Sequence, residues 1–254
     1  VVVETFDLAH DLIAASQRIA VLSGAGLSTA SGIPDFRGPQ GLWTTNPGAE
    51  ALTDIETYVT DEEVRKLAWQ SRLHSPVWAA TPNAGHAALV DLEHSGRLAG
   101  IVTQNIDGLH QAAGSNPDLI VEVHGSVRRA VCLKCGHEQP IEIVLERVEN
   151  GDLDPRCQVG DVACGGLLKS ATISFGQQLN PLSMPRAAAM ATSCDVLLCL
   201  GSTLGVYPVA SIVPLAKENG ANLIICNKGQ TSMDDLADVL VDGDLAEILP
   251  ELLA

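Results

Sequence analysis

Short aliphatic runs, each closed by glycine or a small polar residue, recur along the chain. They are RIAVLSG from Arg18, LAGIVTQN from Leu98, DLIVEVHG from Asp118, SATISFG from Ser170, CDVLLCLG from Cys194, ANLIICN from Ala221 and a weaker DVLVDG from Asp238. Their apolar positions are continuous rather than alternating, which predicts strands covered on both faces. Helical spacing between them predicts helices over 7–17, 83–95 with Asn83 as the cap, 185–192, 207–218 and 244–253. Strands alternating with helices predict an α/β fold, a mostly parallel, Rossmann-like sheet wrapped by helices.

Two segments interrupt the alternation. Residues 38–82 carry Trp43, Trp69 and Trp78 among capped helical fragments, and 130–167 carry a group of cysteines. The expected organisation is a main domain assembled from 1–37, 83–129 and 168–254. A smaller composite domain combines the helical insertion 38–82 with the cysteine module 130–167.

In an open α/β sheet the ligand lies beyond the carboxyl ends of the strands. The residues found there are Ser23, Gly24, Ala25 and Gly26; Gln104, Asn105 and Asp107; His124 and Gly125; Gly201, Ser202 and Thr203; and Asn227. The stretch after the first run, SGAGLSTASGIPDFRG, is dense in glycine, proline and serine. That composition suits close approach to a phosphate and equally suits an ordinary turn.

Composition narrows the partners. With 46% hydrophobic and 18% charged residues, the 254-residue chain is globular rather than disordered. Its net charge of −16 repels polyanions, which argues against nucleic acid and anionic membranes. No apolar run approaches the roughly 20 residues that span a bilayer, and the N-terminal stretch lacks a signal-peptide pattern. A cytoplasmic protein is therefore expected.

The seven cysteines fall into two groups. Cys194, Cys199 and Cys226 lie in or beside aliphatic runs, where a thiol behaves as a small hydrophobe. Cys132, Cys135, Cys157 and Cys164 lie in a polar, glycine-containing segment that suggests a metal knuckle. Cys132 and Cys135 have ordinary zinc spacing, whereas 21 residues precede Cys157 and six separate it from Cys164. Four converging thiolates account for this grouping better than disulfides do in a reducing compartment.

The motifs GAGLSTASGIPDFRG, TPNAGHAALVDLE, TQNIDGLH, HGS, FG at Phe175 and Gly176, GSTLGVYPVA and the Cys226–Asn227 pair occur in this order over essentially the whole chain. The chain resembles the sirtuins, NAD-dependent protein lysine deacylases. The resemblance implies NAD and zinc as cofactors and acylated lysine side chains of proteins as partners. It also implies His124 as general base and Asn105 and Asp107, with Ile106, Ala25, Ile33 and Phe36, as the nicotinamide pocket. Gly24, Ala25, Gly26, Arg37, Gln104, Gly201, Ser202 and Thr203 would serve the diphosphate and ribose, and Asn227 and Asp244 the adenosine. Phe175, Gly176, Gly205 and Val206 match positions where an extended peptide adds a strand. Gln177 departs from the usual FGE.

Sirtuins that remove succinyl or malonyl groups carry a Tyr and an Arg three residues apart. The local match here is Trp69 and Arg72, which the spacing puts on one helical face. Acetyl-lysine is thus the expected substrate, with weaker, Arg72-dependent desuccinylation. Three other functions compete. A hydride-transfer enzyme would want a full G-x-G-x-x-G, but Thr29 holds the third glycine position. A mono-ADP-ribosyltransferase would share the cofactor site, and a catalytically silent NAD-binding regulator would lack His124, Asn105 or Asp107.

Overall fold

The structure is a computed structural model and describes residues 2–35, 41, 44, 53–160 and 163–254. Helix α1 (Val2–Ala15) leads into strand β1 (Ile19–Ser23), whose five residues are all buried. Helices α2 (Ile55–Thr60) and α3 (Glu62–Leu73) each start at an aspartate: Asp54 accepts from the Thr57 N–H, and Asp61 from those of Glu63 and Val64. At the start of α4 (Ala84–His94), Asn83 accepts from Gly85 and His86, and the His86 ring accepts from the Asn83 N–H in return. This is a capping box with histidine in place of glutamate.

The chain continues through β2 (Leu98–Thr103), α5 (Leu109–Ala113), β3 (Ile120–Glu122), β4 (Gly125–Cys132), β5 (Glu138–Pro140), α6 (Ile141–Glu149) and β6 (Leu168–Thr172). It ends with α7 (Ser183–Thr192), β7 (Val196–Leu200), α8 (Ile212–Glu218), β8 (Asn222–Cys226), β9 (Val239–Val241) and α9 (Leu245–Leu252). Among the described residues no helix is long and apolar enough to cross a membrane.

Six strands form one sheet in the order β3-β2-β1-β7-β8-β9, with every pair parallel. Successive side chains of β1 serve opposite faces, as a strand's two-residue period requires. Ile19 and Val21 join Ile13, Leu89, Leu92 and Leu249 from α1, α4 and α9. Ala20 and Leu22 join Ala187, Ala191, Ile212 and Val213 from α7 and its neighbours. The continuous apolar runs are thus the mark of a sheet buried on both sides. Strand order reverses between β1 and β7, the position where such folds open a crevice for a ligand.

A second, antiparallel sheet has the order β5-β4-β6. Its core packs Trp69 of α3 with Ile141, Val144 and Val148 of α6 and with Ala130, Cys132, Cys157 and Leu168. The helical insertion and the cysteine segment therefore share one core. One expectation needs correction: the run SATISFG does not extend the parallel sheet. Its first residues belong to β6, which pairs with β4.

Candidate active site

The C-terminal ends of β1, β2 and β7 meet where the strand order reverses. Gly24 and Gly26 lie against Gly201: a Cβ on Gly24 would sit 2.7 Å from the Gly201 carbonyl oxygen, and one on Gly26 2.7 Å from Gly201 Cα. Gly201 itself has φ +61, a left-handed conformation that suits glycine. These glycines let two backbones cross in contact. The expectation that the Gly24, Ala25 and Gly26 amides face a diphosphate needs correction. Gly24 N–H donates to the Leu200 carbonyl at 2.8 Å and Gly26 N–H to the Gly201 carbonyl at 2.9 Å. Both donors are spent inside the chain, which leaves the Ala25 amide for a ligand.

The NIDG turn after β2 packs against this crossing. Asn105 Nδ2 donates to the Gly24 carbonyl at 3.0 Å and to Ser28 Oγ at 3.2 Å. With both hydrogens committed, Asn105 offers a ligand only its acceptor oxygen. Ser28 Oγ donates to Asp107 Oδ2 at 2.8 Å, and Leu109 N–H donates to Asp107 Oδ1 at 2.8 Å. Asn105 and Asp107 are both buried, so the turn is rigidly held by bonds from three directions. Ile33 is half-buried, and its N–H donates to the Ser28 carbonyl. Phe36 and Arg37 lie outside the described residues.

His124 follows β3 and precedes Gly125. Its Nδ1 lies 3.1 Å from the Gln104 carbonyl oxygen. A carbonyl can only accept, so Nδ1 carries the proton and Nε2 keeps its lone pair. Burial pulls the imidazole below its ordinary pKa, against a smaller upward pull from the Gln104 carbonyl. Gly125 has φ +72, and a Cβ there would fall 2.0 Å from the Ala171 carbonyl oxygen. Only glycine lets β4 turn away beside β6. Gln104 Nε2 also donates to Ser202 Oγ at 2.8 Å, joining the ends of β2 and β7.

A buried polar chain supports these groups from below. Ser23 Oγ donates to Thr103 Oγ1 at 2.9 Å, Asn105 N–H donates to the same oxygen at 3.1 Å, and His110 Nε2 lies 2.9 Å from Ser23 Oγ. Burial, with a smaller contribution from neighbouring His86, pushes the His110 imidazole down to about 3.

In the small body, Cys132, Cys135, Cys157 and Cys164 place their four Sγ atoms within 4.8 Å of one another. The Cys132–Cys164 and Cys135–Cys157 sulfur distances are both 3.8 Å. A tetrahedron with Zn–S bonds of about 2.3 Å has sulfur edges of about 3.8 Å, whereas a disulfide closes to about 2.05 Å. The thiols therefore fit a zinc ion. A Cβ on Gly166 would meet Cys132 Sγ at 2.6 Å, so glycine also leaves the sulfurs room.

The Sir2 family profile matches residues 24–208, a span that runs from the glycine crossing through the NIDG turn, His124 and the cysteines. The chain belongs to the Sir2 family. An NAD-dependent protein deacetylase 2 of Streptomyces coelicolor is 44% identical over 92% of this chain and 96% of its own length. An NAD-dependent protein deacetylase 1 of Bradyrhizobium diazoefficiens is 39% identical over 94% and 91%. Among solved structures, a Sir2 enzyme superposes with TM-score 0.87 at 33% identity, covering 98% of this chain and 96% of the other. A Sir2 variant with a deacetylated p53 peptide and 3′-O-acetyl ADP ribose gives TM-score 0.87 at 31% identity, covering 98% and 97%.

This Sir2-family chain places its remaining site candidates unequally. Phe175 is 46% exposed, with Phe175 N–H donating to Thr53 and Ile55 N–H donating to the Phe175 carbonyl. Gly176 has φ +78, and Gly205 and Val206 follow Leu204, whose φ of 55 is left-handed. Trp69 is not brought to the strand-end cluster: it is 2% exposed in the core of the small body. Arg72 instead reaches β6, donating to Ser170 Oγ at 3.2 Å. Asn227 turns its amide onto the Gly229 carbonyl, and Asp244 caps α9 through Ala246 N–H. Thr203 is exposed, whereas Gly201 and Ser202 before it are buried. The site residues that sequence reasoning missed are Ser28, Thr103 and Arg128, which contact Asp107 or Asn105. Ser28 and Thr103 lay in stretches already singled out, SGAGLSTASGIPDFRG and TQNIDGLH; nothing local marked Arg128.

Proposed function

We propose that this Sir2-family chain is an NAD-dependent protein lysine deacylase, acting chiefly as a deacetylase that releases nicotinamide and acylated ADP-ribose. The observation that carries the reading is His124: its Nδ1 proton is committed to Gln104, so its Nε2 lone pair is free beside the NIDG turn. NAD held at these strand ends would supply an electrophilic sugar carbon. Asp107 and Asn105 offer acceptors that suit a carboxamide, and their burial keeps bulk water from the reacting carbon. His124 Nε2 takes a proton from a ribose hydroxyl, a task for which an imidazole held neutral at pH 7 is suited. Gly24, Gly26 and Gly201 set the backbone, while the Ala25 amide and the Ser202 and Thr203 hydroxyls serve the phosphates and ribose. Asn227 and the Asp244 backbone serve the adenosine. The acylated peptide adds a strand beside Gly176 and Gly205–Val206, the Phe175 N–H and carbonyl being already taken up by Thr53 and Ile55.

Zinc in the closed four-thiolate site has no open ligand position, so its role is structural. Incubating the protein with NAD and an acetyl-lysine peptide, followed by mass spectrometry, tests the activity. Acylated ADP-ribose and free lysine are expected. ADP-ribosylated protein without deacylation would favour the transferase reading, and no turnover of NAD would favour a silent regulator.

A further inference from the structure

The two carbonyls at the centre of the NIDG turn are both held from β4. Val127 N–H donates to the Ile106 carbonyl at 2.8 Å, and Arg128 Nε–H donates to the Asp107 carbonyl at 2.9 Å. The first bond comes from backbone and survives any residue at 127 except proline. The second depends on arginine at 128. The same guanidinium lies over the Trp78 ring, 5.3 Å from its centroid, and Nη2 reaches the Val77 carbonyl at 3.5 Å. Trp78 is anchored in turn, its indole N–H donating to the Arg72 carbonyl at 2.7 Å in the last turn of α3. Gly108 has φ +76, and a Cβ there would lie 3.2 Å from Arg128 Cγ, so the arginine stem lies flat against the turn.

We propose that Arg128 is a positioning residue. It fixes the Asp107 peptide, and with it the direction of the carboxylate, by bracing the turn against Trp78 and hence against the helical insertion. The inference rests on the reading of Asp107 as part of the nicotinamide pocket. A planar guanidinium can stack on an indole while its Nε–H points along the edge; a lysine ammonium offers neither the plane nor that fixed donor. The geometry of the pocket thereby depends on how α3 and the Pro76–Trp78 turn are seated. Bond strength to a charged donor suggests the scale, about a tenfold effect when the brace is removed.

Arg128→Lys, Trp78→Leu, their double variant and Asp107→Asn would be compared in the full-length protein loaded with zinc. The readouts are KM for NAD, inhibition by nicotinamide, KM for an acetyl-lysine peptide, zinc content and thermal unfolding. Arg128→Lys is expected to raise both the KM for NAD and the nicotinamide inhibition constant about tenfold, with peptide KM and zinc unchanged. Trp78→Leu should move the same two constants, and the double variant should lose little beyond Arg128→Lys because the two groups act through one contact. Trp78→Phe, which keeps an aromatic face, gives a milder shift in the same direction should the leucine variant fold poorly. Wild-type NAD and nicotinamide constants in Arg128→Lys would overturn the proposal, as would fully additive losses in the double variant. Asp107→Asn separates the two layers. If it is impaired and Arg128→Lys is not, only the brace is wrong; if Asp107→Asn is also normal, the pocket assignment fails and the brace falls with it.

Discussion

Acidification should destabilise the protein partly through one buried histidine. His110 is 2% exposed, donates toward Ser23 and is held near pKa 3, against an ordinary value of 6.5. In the unfolded chain the ring binds a proton at about pH 6.5, whereas the folded chain resists until about pH 3. The unfolded state therefore carries more protons throughout that window, and stability falls as pH falls from 6.5 toward 3. At pH 5 this one residue favours unfolding by about 2 kcal/mol relative to pH 8. For a chain of this size that corresponds to a fall in Tm of about 4–8 °C. In His110→Gln the amide can still donate to Ser23 but gains no proton. Thermal unfolding followed by circular dichroism at pH 8 and pH 5 should show a Tm drop smaller by that amount in the variant. Some pH dependence remains, because burial also lowers His86 and His124. An identical drop in wild type and His110→Gln would refute the reasoning.

His124→Ala should cut deacetylation by more than about 10²-fold while leaving NAD affinity nearly unchanged, measured by turnover and by calorimetric titration. The acid limb of the kcat/KM profile should have an apparent pKa below 6.5, since burial favours the neutral base; a limb at or above 6.5 would count against it. Replacing Cys135 by Ala should release zinc and lower Tm, as read by metal analysis and unfolding, because a structural site contributes directly to folding. Acetyl-lysine peptide should be the better substrate, and Arg72→Met should remove whatever desuccinylation the wild type shows. A wild-type preference for succinyl, or desuccinylation indifferent to Arg72, would contradict this.

Much of the parallel body was legible because burial on both faces leaves an unmistakable trace: IAVLS, LAGIVT and VLLCL contain almost no outward polar residue. Asn83 announced α4 for an equally local reason, since its side chain caps the helix it precedes. Partner choice is not local. The run at Ser170 is a short segment bounded by glycine like the parallel strands, and its pairing with β4 puts it in the other sheet. The stretched spacing of Cys157 and Cys164 hid a regular sulfur geometry, because separation along the chain does not fix the distance between sulfurs. Gly24 and Gly26 looked like ligand glycines, yet their lack of Cβ serves the crossing with Gly201. Trp69 suited a substrate helix by spacing, but spacing does not say which face is inward. Arg128 was invisible because its meaning lies in Trp78 and Asp107, both distant along the chain.

The central place of β1 has a consequence for how the chain is made. Ile19 is synthesised long before the residue beside it on one side, Val196. At 5–20 residues per second the gap lasts roughly 10–35 s. During that time β1, β2 and β3 can assemble, but β1 presents an unpaired aliphatic edge to solvent, the kind of edge that invites mispairing. The contact between Gly24 and Gly201 cannot form until that interval has passed. A chain cut short before Gly201 keeps His124, Asn105 and Asp107 but has nothing for the first glycine loop to rest upon. Translation arrest before Gly201 should thus yield fragments that carry the candidate catalytic groups and bind no nucleotide, so that synthesis of the segment bearing Gly201 licenses the activity.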